Sequence, residues 1–314
     1  MEKEYKYLLY TRCLTFNHAT YIVDAMNGFT MQETTFPVVT CIIDDASTDG
    51  EQEVIRQYLL EHFQEPYRTE ETDDYNLICA NHNTNPNCIF VVFFLKYNHH
   101  NIKKSKLPYL SEWLDNSKYH ALCEGDDYWV DPFKLQKQVD FMENHPNHSL
   151  CFCAHENLYS SGIIVEELRY KNNLESCPMD DIIIGGGSYM ATCSMLYRYS
   201  MYEPYQKWAK DSPVGDIPIM LTLAKNGLVG YLSDVMCVYR KLSSGSWNQR
   251  MISDYKKRCK HYYVMLNVFD MYDKYTGYQY HNAVLLKKRK YKKQIFKVIV
   301  KTILYKVKSV LNSI

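Results

Sequence analysis

VVTCIIDDASTDG, residues 38–50, decides how this chain is read. Its first six residues are apolar or β-branched without alternation, the pattern of a strand buried on both faces. The run stops on two carboxylates and a dense cluster of turn residues, and Glu51 to Phe63 then carries helical spacing. Before it, YKYLLYTR (5–12) reads as a strand. TFNHAT breaks that strand, and Tyr21, Ile22, Ala25, Met26 and Phe29 recur at helical spacing. After it, CIFVVFFL (88–95) and KYHALC (118–123) read as further strands, the second running straight into EGDDYWVDP (124–132). Strands alternating with helices over the first 150 residues predict an α/β fold with an open, mostly parallel sheet. Residues 64–87 are polar and Asn-rich and read as an irregular excursion.

Asp131-Pro132 predicts a helix cap followed by proline at the first helical position. Leu135, Val139 and Met142 form its apolar stripe, and the helix should stop before Pro146. Further on, SLCFCAHENLY reads as a strand, GGGSYMATCSMLYR as a loop entering a strand, and DIPIMLTLAKNG as a helix closed by Gly227.

The 314 residues are 46% hydrophobic and 23% charged, enough for a large core and far from a disordered composition. Eleven cysteines run from Cys13 to Cys259 with no CxxC pair, which predicts a reducing compartment. The first 20 residues lack the apolar run of a signal peptide, and no stretch reaches the ~18 apolar residues of a membrane span. The expectation is a soluble cytoplasmic protein. Net charge is zero, but all 36 acidic residues lie in 1–273, while residues 274–314 hold 11 Lys+Arg and no acid. Such an acidic body is a poor nucleic-acid surface, so no nucleic-acid partner is expected.

Two acidic turns follow apolar strands directly: Asp44-Asp45, and Glu124-Gly125-Asp126-Asp127. Strand carboxyl ends face the ligand crevice of an open α/β sheet, so both turns should line one cleft. Acids also favour turns and caps for local reasons, and Asp49 and Asp131 are read that way. Gly125 is read as the residue that allows a sharp turn. Clustered carboxylates repel one another unless a cation bridges them, and hard oxygen donors select Mg2+ or Mn2+, usually shared with substrate phosphates. Neither GxxxxGK[ST] nor a GxGxxG after a strand is present, and Gly185-Gly186-Gly187 reads as a flexible loop. A nucleotide diphosphate held through a metal is the economical reading. Cys151, Cys153 and His155 share one strand face but lack a fourth zinc ligand, and read as core. His99-His100 reads as a solvated pair.

TFNHATYI, IIDDASTDG, ALCEGDDYWVDPFKLQKQVDF, SMLYR, SPVGDIPIMLTLAKNG and VYRKLSSGSW, in that order from about residue 5 to 248, resemble glycosyltransferase family 2. The resemblance implies a GT-A fold, with a Rossmann-like nucleotide-binding sheet, and inverting, metal-dependent transfer from nucleotide sugars, common in bacterial capsule and lipopolysaccharide synthesis. By position, Asp45 would contact the nucleobase and Phe16 would line its pocket. Glu124 and Asp126 would be the DxD acids, with Asp126 the ligand of Mn2+ or Mg2+, and Asp127 the further acid, with a ligand or acceptor role. Asp216 would be the catalytic base, while Ser194 and Arg198 would stand on the acceptor side. A UDP-sugar is the favoured donor and a saccharide or lipid-linked molecule the acceptor. Leu14 stands where the family often has proline, Glu124 replaces the commoner Asp, and Leu242 replaces a frequent histidine. Asp216 also suits the first turn of the helix that follows, as a cap.

Two other functions share parts of this pattern. A nucleotidyltransferase would show a glycine-rich, basic phosphate loop near the first strand, which CLTFNHAT lacks. A non-catalytic carbohydrate-binding relative would have no need of Asp126 and Asp216. The expected organisation is a transferase domain over 1–250, divided into a nucleotide-sugar half (1–130) and an acceptor half (131–250). A helical extension over 251–314 follows. In its tail, Phe296, Ile299, Val300, Ile303, Val307, Val310 and Ile314 are placed on one helical face, with Lys297, Lys301 and Lys308 on another. That pattern predicts either peripheral contact of 287–314 with the inner face of the cytoplasmic membrane or packing on the domain.

Overall fold

A computed structural model describes residues 4–202, 207–241 and 247–311. Leu242, and the side chains of Ile303, Val307, Val310 and Ile314, lie outside the described residues. The chain divides into two compact units. The first comprises Met1–Ser176, Met190–Tyr202 and Gly227–Lys241, and the second Cys177–Tyr189, Glu203–Asn226 and Leu242–Ile314.

In the first unit the elements run β1 (Tyr7–Thr15), α1 (Ile22–Thr30), β2 (Val38–Asp44), α2 (Glu51–His62), β3 (Arg68–Glu71), β4 (Tyr75–Asn81) and β5 (Cys88–Leu95). They continue with α3 (Leu107–Leu114), β6 (Ser117–Leu122), β7 (Tyr128–Trp129), α4 (Lys134–Asn144), β8 (His148–Tyr159), β9 (Ile164–Glu167), β10 (Met195–Arg198) and β11 (Leu228–Lys241). All the strands join one sheet, whose centre is the parallel set β5-β2-β1-β6. β10 runs antiparallel to both β6 and β8, and β11 runs parallel to β8. The α/β architecture with a largely parallel centre is the one expected.

The unbroken apolar runs have a direct cause. Successive side chains of a strand point to opposite faces. Ile42 and Val92 therefore enter one core with Leu9, Met26 and Phe29, while Cys41, Ile43, Val91 and Phe93 enter another with Tyr10, Leu110 and Trp113. Every residue of β2 is buried.

Two expectations about elements of this unit change. Residues 64–87 are not irregular: β3 and β4 form an antiparallel hairpin that extends the sheet beyond β5. An edge hairpin needs few apolar residues, which is why its composition hides it. Its turn is held by the Thr72 hydroxyl, which accepts the N–H groups of Asp74 and Tyr75 at 3.2 and 3.0 Å. The helix after Asp131-Pro132 begins only at Lys134. Asp131 accepts the Phe133 N–H at 2.8 Å, but Phe133, not Asp131, is the residue at the cap position, and no side chain caps the helix.

The second unit is helical: α5 (Met179–Gly185), α6 (Asp216–Asn226), α7 (Trp247–Ser253), α8 (Tyr255–Tyr275) and α9 (His281–Leu311). Asp254 caps α8, accepting the Lys257 N–H at 3.0 Å. Gly277 and Tyr278, both left-handed, reverse the chain between α8 and α9. Val268, Phe269 and Tyr272 of α8 and Ala283, Val284, Tyr291, Ile295 and Val298 of α9 are buried. Gly185-Gly186-Gly187 is not a free loop. Lys287, 7% exposed, donates to the Gly185 and Ile184 carbonyls at 2.8 and 3.4 Å. A Cβ on Gly186 would stand 2.7 Å from the Lys287 Cε.

Candidate functional site

The chain leaves β1 for β2 and β5 on one side, then crosses to β6 on the other, so the topological switch lies between β1 and β6. Ligands of open α/β sheets bind in the crevice at such a switch. Here three loops meet. Asp45 N–H donates to Thr15 O at 3.0 Å and Gly125 N–H to Leu14 O at 3.1 Å, tying the loops after β2 and β6 to the end of β1. Asn17 N–H donates to Ser47 Oγ at 2.9 Å, Ala19 N–H to Asp49 Oδ2 at 2.9 Å, and Thr48 N–H to the Asn17 side chain at 2.8 Å. Asn17 and Ala46 both adopt φ 59°. Asparagine tolerates that region, whereas for alanine it stores strain of about 1–2 kcal/mol.

Glu51 is the hidden centre of this junction. It is fully buried at the start of α2, and its carboxylate accepts the His18 N–H at 2.9 Å, the Ser47 hydroxyl at 2.8 Å and the Thr15 hydroxyl. Burial raises its proton affinity, and these three donors work against that. The opposite end of the same network reaches the acidic turn. Thr15 Oγ1 lies 3.1 Å from His18 Nδ1, and His18 Nε2 lies 3.9 Å from Asp126 Oδ2.

The acidic turn is clamped from β11. The Arg240 main-chain N–H donates to Asp127 Oδ1 at 2.8 Å, and its guanidinium donates to the Asp126 carbonyl at 2.8 Å and pairs with Asp24. The same guanidinium lies over the rings of Tyr128 and Tyr21, at 4.5 and 5.0 Å. Asp127 is buried, and burial together with the neighbouring Asp126 charge pushes its carboxyl well above the ordinary range. Glu124 and Asp126 are half-buried.

Asp45 is almost fully buried, and its carboxylate is engaged by the 98–106 loop. Oδ1 accepts the His99 N–H at 2.7 Å, while Oδ2 accepts the His100 N–H at 3.2 Å and meets Lys106 Nζ at 2.9 Å. His99 is therefore not solvated. It is buried, with Nε2 3.1 Å from the Tyr109 hydroxyl, because Asp45 draws its backbone into the fold. Asp44 accepts the Ser47 N–H at 3.1 Å and the Gln52 amide at 2.5 Å through Oδ1, while its buried Oδ2 has no partner among the described residues. Burial raises the Asp44 carboxyl. Phe16 is half-buried on the loop after β1.

Ser194 and Arg198 stand at β10. Ser194 is fully buried, its hydroxyl donating to Ala191 O at 2.7 Å. Arg198 donates to His148 O, the Tyr119 hydroxyl and Met142 O at 3.2, 2.9 and 2.8 Å. Asp216 belongs to the second unit, as the first residue of α6. Its surroundings bury the carboxyl, which raises its proton affinity, while the Ile217 backbone works the other way. A Cβ on Gly187 would lie 3.2 Å from Asp216 Oδ2, and burial followed by the Asp216 charge raises the Tyr291 hydroxyl.

His18, Glu51 and Arg240 were not singled out in the sequence. Glu51 reads there as an ordinary first-turn acid, and Arg240 is 113 residues from the carboxylate it clamps. Among the described residues no three His, Cys, Asp or Glu side chains form a metal-holding group. Glu124 and Asp126 still suit Mg2+ or Mn2+, which are commonly held by one or two carboxylates with substrate phosphates completing the shell. Burial is the main reason the Asp127 carboxyl is raised, and the smaller contribution, from the Asp126 and Glu124 charges, is the part a divalent cation would relieve.

No family model matches the chain. It is 30% identical over 242 residues to the uncharacterized proteins Rv1520 of Mycobacterium tuberculosis (strain ATCC 25618 / H37Rv) and Mb1547 of Mycobacterium bovis. The match covers 75% of this chain, and the chain spans 59% of the length of these relatives. Among solved structures, S. aureus TarS 1-349 in complex with UDP-GlcNAc aligns with a TM-score of 0.53 at 16% identity, over 84% of this chain and 66% of that one. The mannosyltransferase PcManGT from Pyrobaculum calidifontis, in complex with GDP-Man and Mn2+, aligns with a TM-score of 0.47 at 13% identity, over 86% and 67%. The TarS likeness establishes the fold: this chain shares the mixed α/β fold of TarS 1-349, with its central, largely parallel sheet.

Proposed function

We propose that this chain is an inverting glycosyltransferase of family 2 that moves a sugar from a nucleotide-diphosphate donor to a saccharide or lipid-linked acceptor in surface polysaccharide synthesis. The observation that carries the reading is the emergence of Glu124 and Asp126 at the β1/β6 switch, next to the His18 loop. TarS 1-349, which shares the fold, is solved with UDP-GlcNAc, and a UDP-sugar is the preferred donor in this reading. Asp126, with Glu124, would hold Mg2+ or Mn2+, which would supply Lewis-acid stabilisation of the departing diphosphate. Phe16 would line the base pocket and Asp45 would contact the nucleobase, while its carboxylate also holds the 98–106 loop at the carboxyl end of β2.

Asp216 is the general base. A sugar hydroxyl is a poor nucleophile until a positioned base takes its proton. Burial moves the Asp216 carboxyl in the direction that makes it a stronger base near neutral pH. The acceptor oxygen then bonds to the anomeric carbon as the bond to the diphosphate breaks, and the proton ends on Asp216. One displacement inverts the configuration. We place the enzyme in the cytoplasm, in peripheral contact with the inner face of the cytoplasmic membrane.

The test is thermal denaturation of the full chain with UDP- and GDP-sugars, with and without Mn2+, followed by measurement of nucleotide release. A ligand that binds only the native state raises its stability by mass action. Stabilisation by one nucleotide sugar, with acceptor-stimulated release of the nucleoside diphosphate, is the expected result. Release of pyrophosphate from a nucleoside triphosphate and a sugar phosphate would identify a nucleotidyltransferase instead. Binding without any release would identify a non-catalytic relative.

A further inference from the structure

We propose that the outward face of α9 docks on an anionic membrane surface. The helix has two stripes of different fate. Ala283, Val284, Tyr291, Ile295 and Val298 are buried within the second unit. Leu285, Phe296, Ile299 and Val300 point away, 37%, 68%, 43% and 36% exposed. Of the apolar tail side chains assigned from the sequence to one face, the three that are described, Phe296, Ile299 and Val300, are exposed, and a different stripe does the packing.

Cations lie among the outward apolar groups. Helical periodicity places Arg289, Lys292 and Lys293 on the arc that carries Leu285, Phe296 and Val300, and all three are exposed. No acid occurs anywhere from residue 274 to 314. The helix is 31 residues long, and no helix among the described residues is long and apolar enough to cross a membrane. A basic helix with exposed aromatic and aliphatic groups, unable to span, suits the plane of the headgroups, where apolar side chains enter the acyl boundary and cations meet lipid phosphates.

Other occupants fit less well. A second copy pairing through this face would set cation against cation with no acid on the helix to relieve it. A nucleic-acid backbone would engage the cations but leave Phe296 and its neighbours exposed to water. The surface proposal does not depend on the transfer reading, because its test measures binding alone.

The experiment is co-sedimentation of the full chain with phosphatidylglycerol–phosphatidylcholine vesicles and with phosphatidylcholine vesicles, at about 0.05 M and about 0.5 M salt. Two variants accompany it, Arg289→Gln/Lys292→Gln/Lys293→Gln and Phe296→Ser/Val300→Ser. All five side chains are exposed, and circular dichroism checks that the fold is kept. The full chain should pellet with anionic vesicles at low salt only. The charge variant should partition at least about ten-fold more weakly, and the apolar variant several-fold more weakly. Absence of pelleting at low salt, equal pelleting of either variant, or a dimer in solution that Phe296→Ser/Val300→Ser abolishes would each overturn the proposal.

Discussion

Gly125 packs directly on Thr15: a Cβ added to the glycine would stand 2.6 Å from the Thr15 Cβ, and closer still to its hydroxyl. Thr15 cannot retreat, because its hydroxyl is committed to Glu51 and to His18. Gly125 is required for this close approach. Its φ is not positive, so the freedom to turn that the sequence suggests is not what the position uses.

Gly125→Ala therefore overpacks the junction of three loops. Denaturation in urea should show a loss of about 1–3 kcal/mol, the usual cost of forcing a methyl group into a filled site. Binding of the nucleotide sugar should fall with it, since the displaced turn carries Glu124 and Asp126. An unchanged midpoint would show that the turn has slack the geometry does not suggest.

Asp126→Ala should abolish transfer and remove the Mn2+-dependent part of donor stabilisation, because a charged oxygen donor is lost. Stability without ligand should change little, as the side chain is half-buried. Near-normal turnover of this variant in Mn2+ would remove Asp126 from the metal role.

Asp216→Asn should keep the donor-induced rise in Tm while turnover falls by roughly 10²–10⁴, the range of a positioned base. The amide can still accept the helix N–H, so capping is largely preserved. If donor binding and turnover fall together, the residue serves α6 and not the reaction.

Asp127→Asn should raise Tm by a few degrees at neutral pH. The folded carboxyl holds its proton more tightly than the unfolded one, chiefly through burial. Its penalty is thus absent below the ordinary carboxyl range and grows as pH rises through it. The amide keeps an acceptor for the Arg240 N–H and carries no charge. The difference between variant and wild type should shrink on acidification to about pH 3.5, and a constant difference would contradict the assignment.

Lys287 behaves with the opposite sign. Burial lowers it to about 8, so between there and its unfolded value near ~10.4 the unfolded chain binds more protons, and stability rises with pH. Lys287→Met should remove that rise, of order 3 kcal/mol in full. Comparing the two proteins by urea denaturation from pH 7 to 10 isolates it from tyrosine and cysteine titration.

The parallel centre was legible because strands buried on both faces need uninterrupted apolar runs, and β2 and β5 have them. The β3–β4 hairpin was not, since an edge needs only half a strand of apolar residues. Glu124, Asp126 and Asp45 announced themselves by following strands directly. Glu51 did not, because a glutamate opening a helix looks the same whether it faces water or gathers donors from Thr15, His18 and Ser47. Nor did Arg240, whose partners are far away along the chain. The outward turn of Phe296 was equally hidden: periodicity defines a stripe, but only the packing partner decides which stripe is covered.

The clamp from Arg240 has a consequence for biosynthesis. Its partners Asp24, Asp126 and Asp127 precede it by 216, 114 and 113 residues. At about 5–20 residues per second, the acidic turn leaves the ribosome roughly 6–20 s before the residue that clamps it. A nascent chain ending before β11 can pair β5, β2, β1 and β6 yet has no cation from β11 to fasten the turn between them. The acidic turn is the last part of the first unit to be fastened, and a chain stalled before Arg240 should be sheet-containing with that turn unclamped.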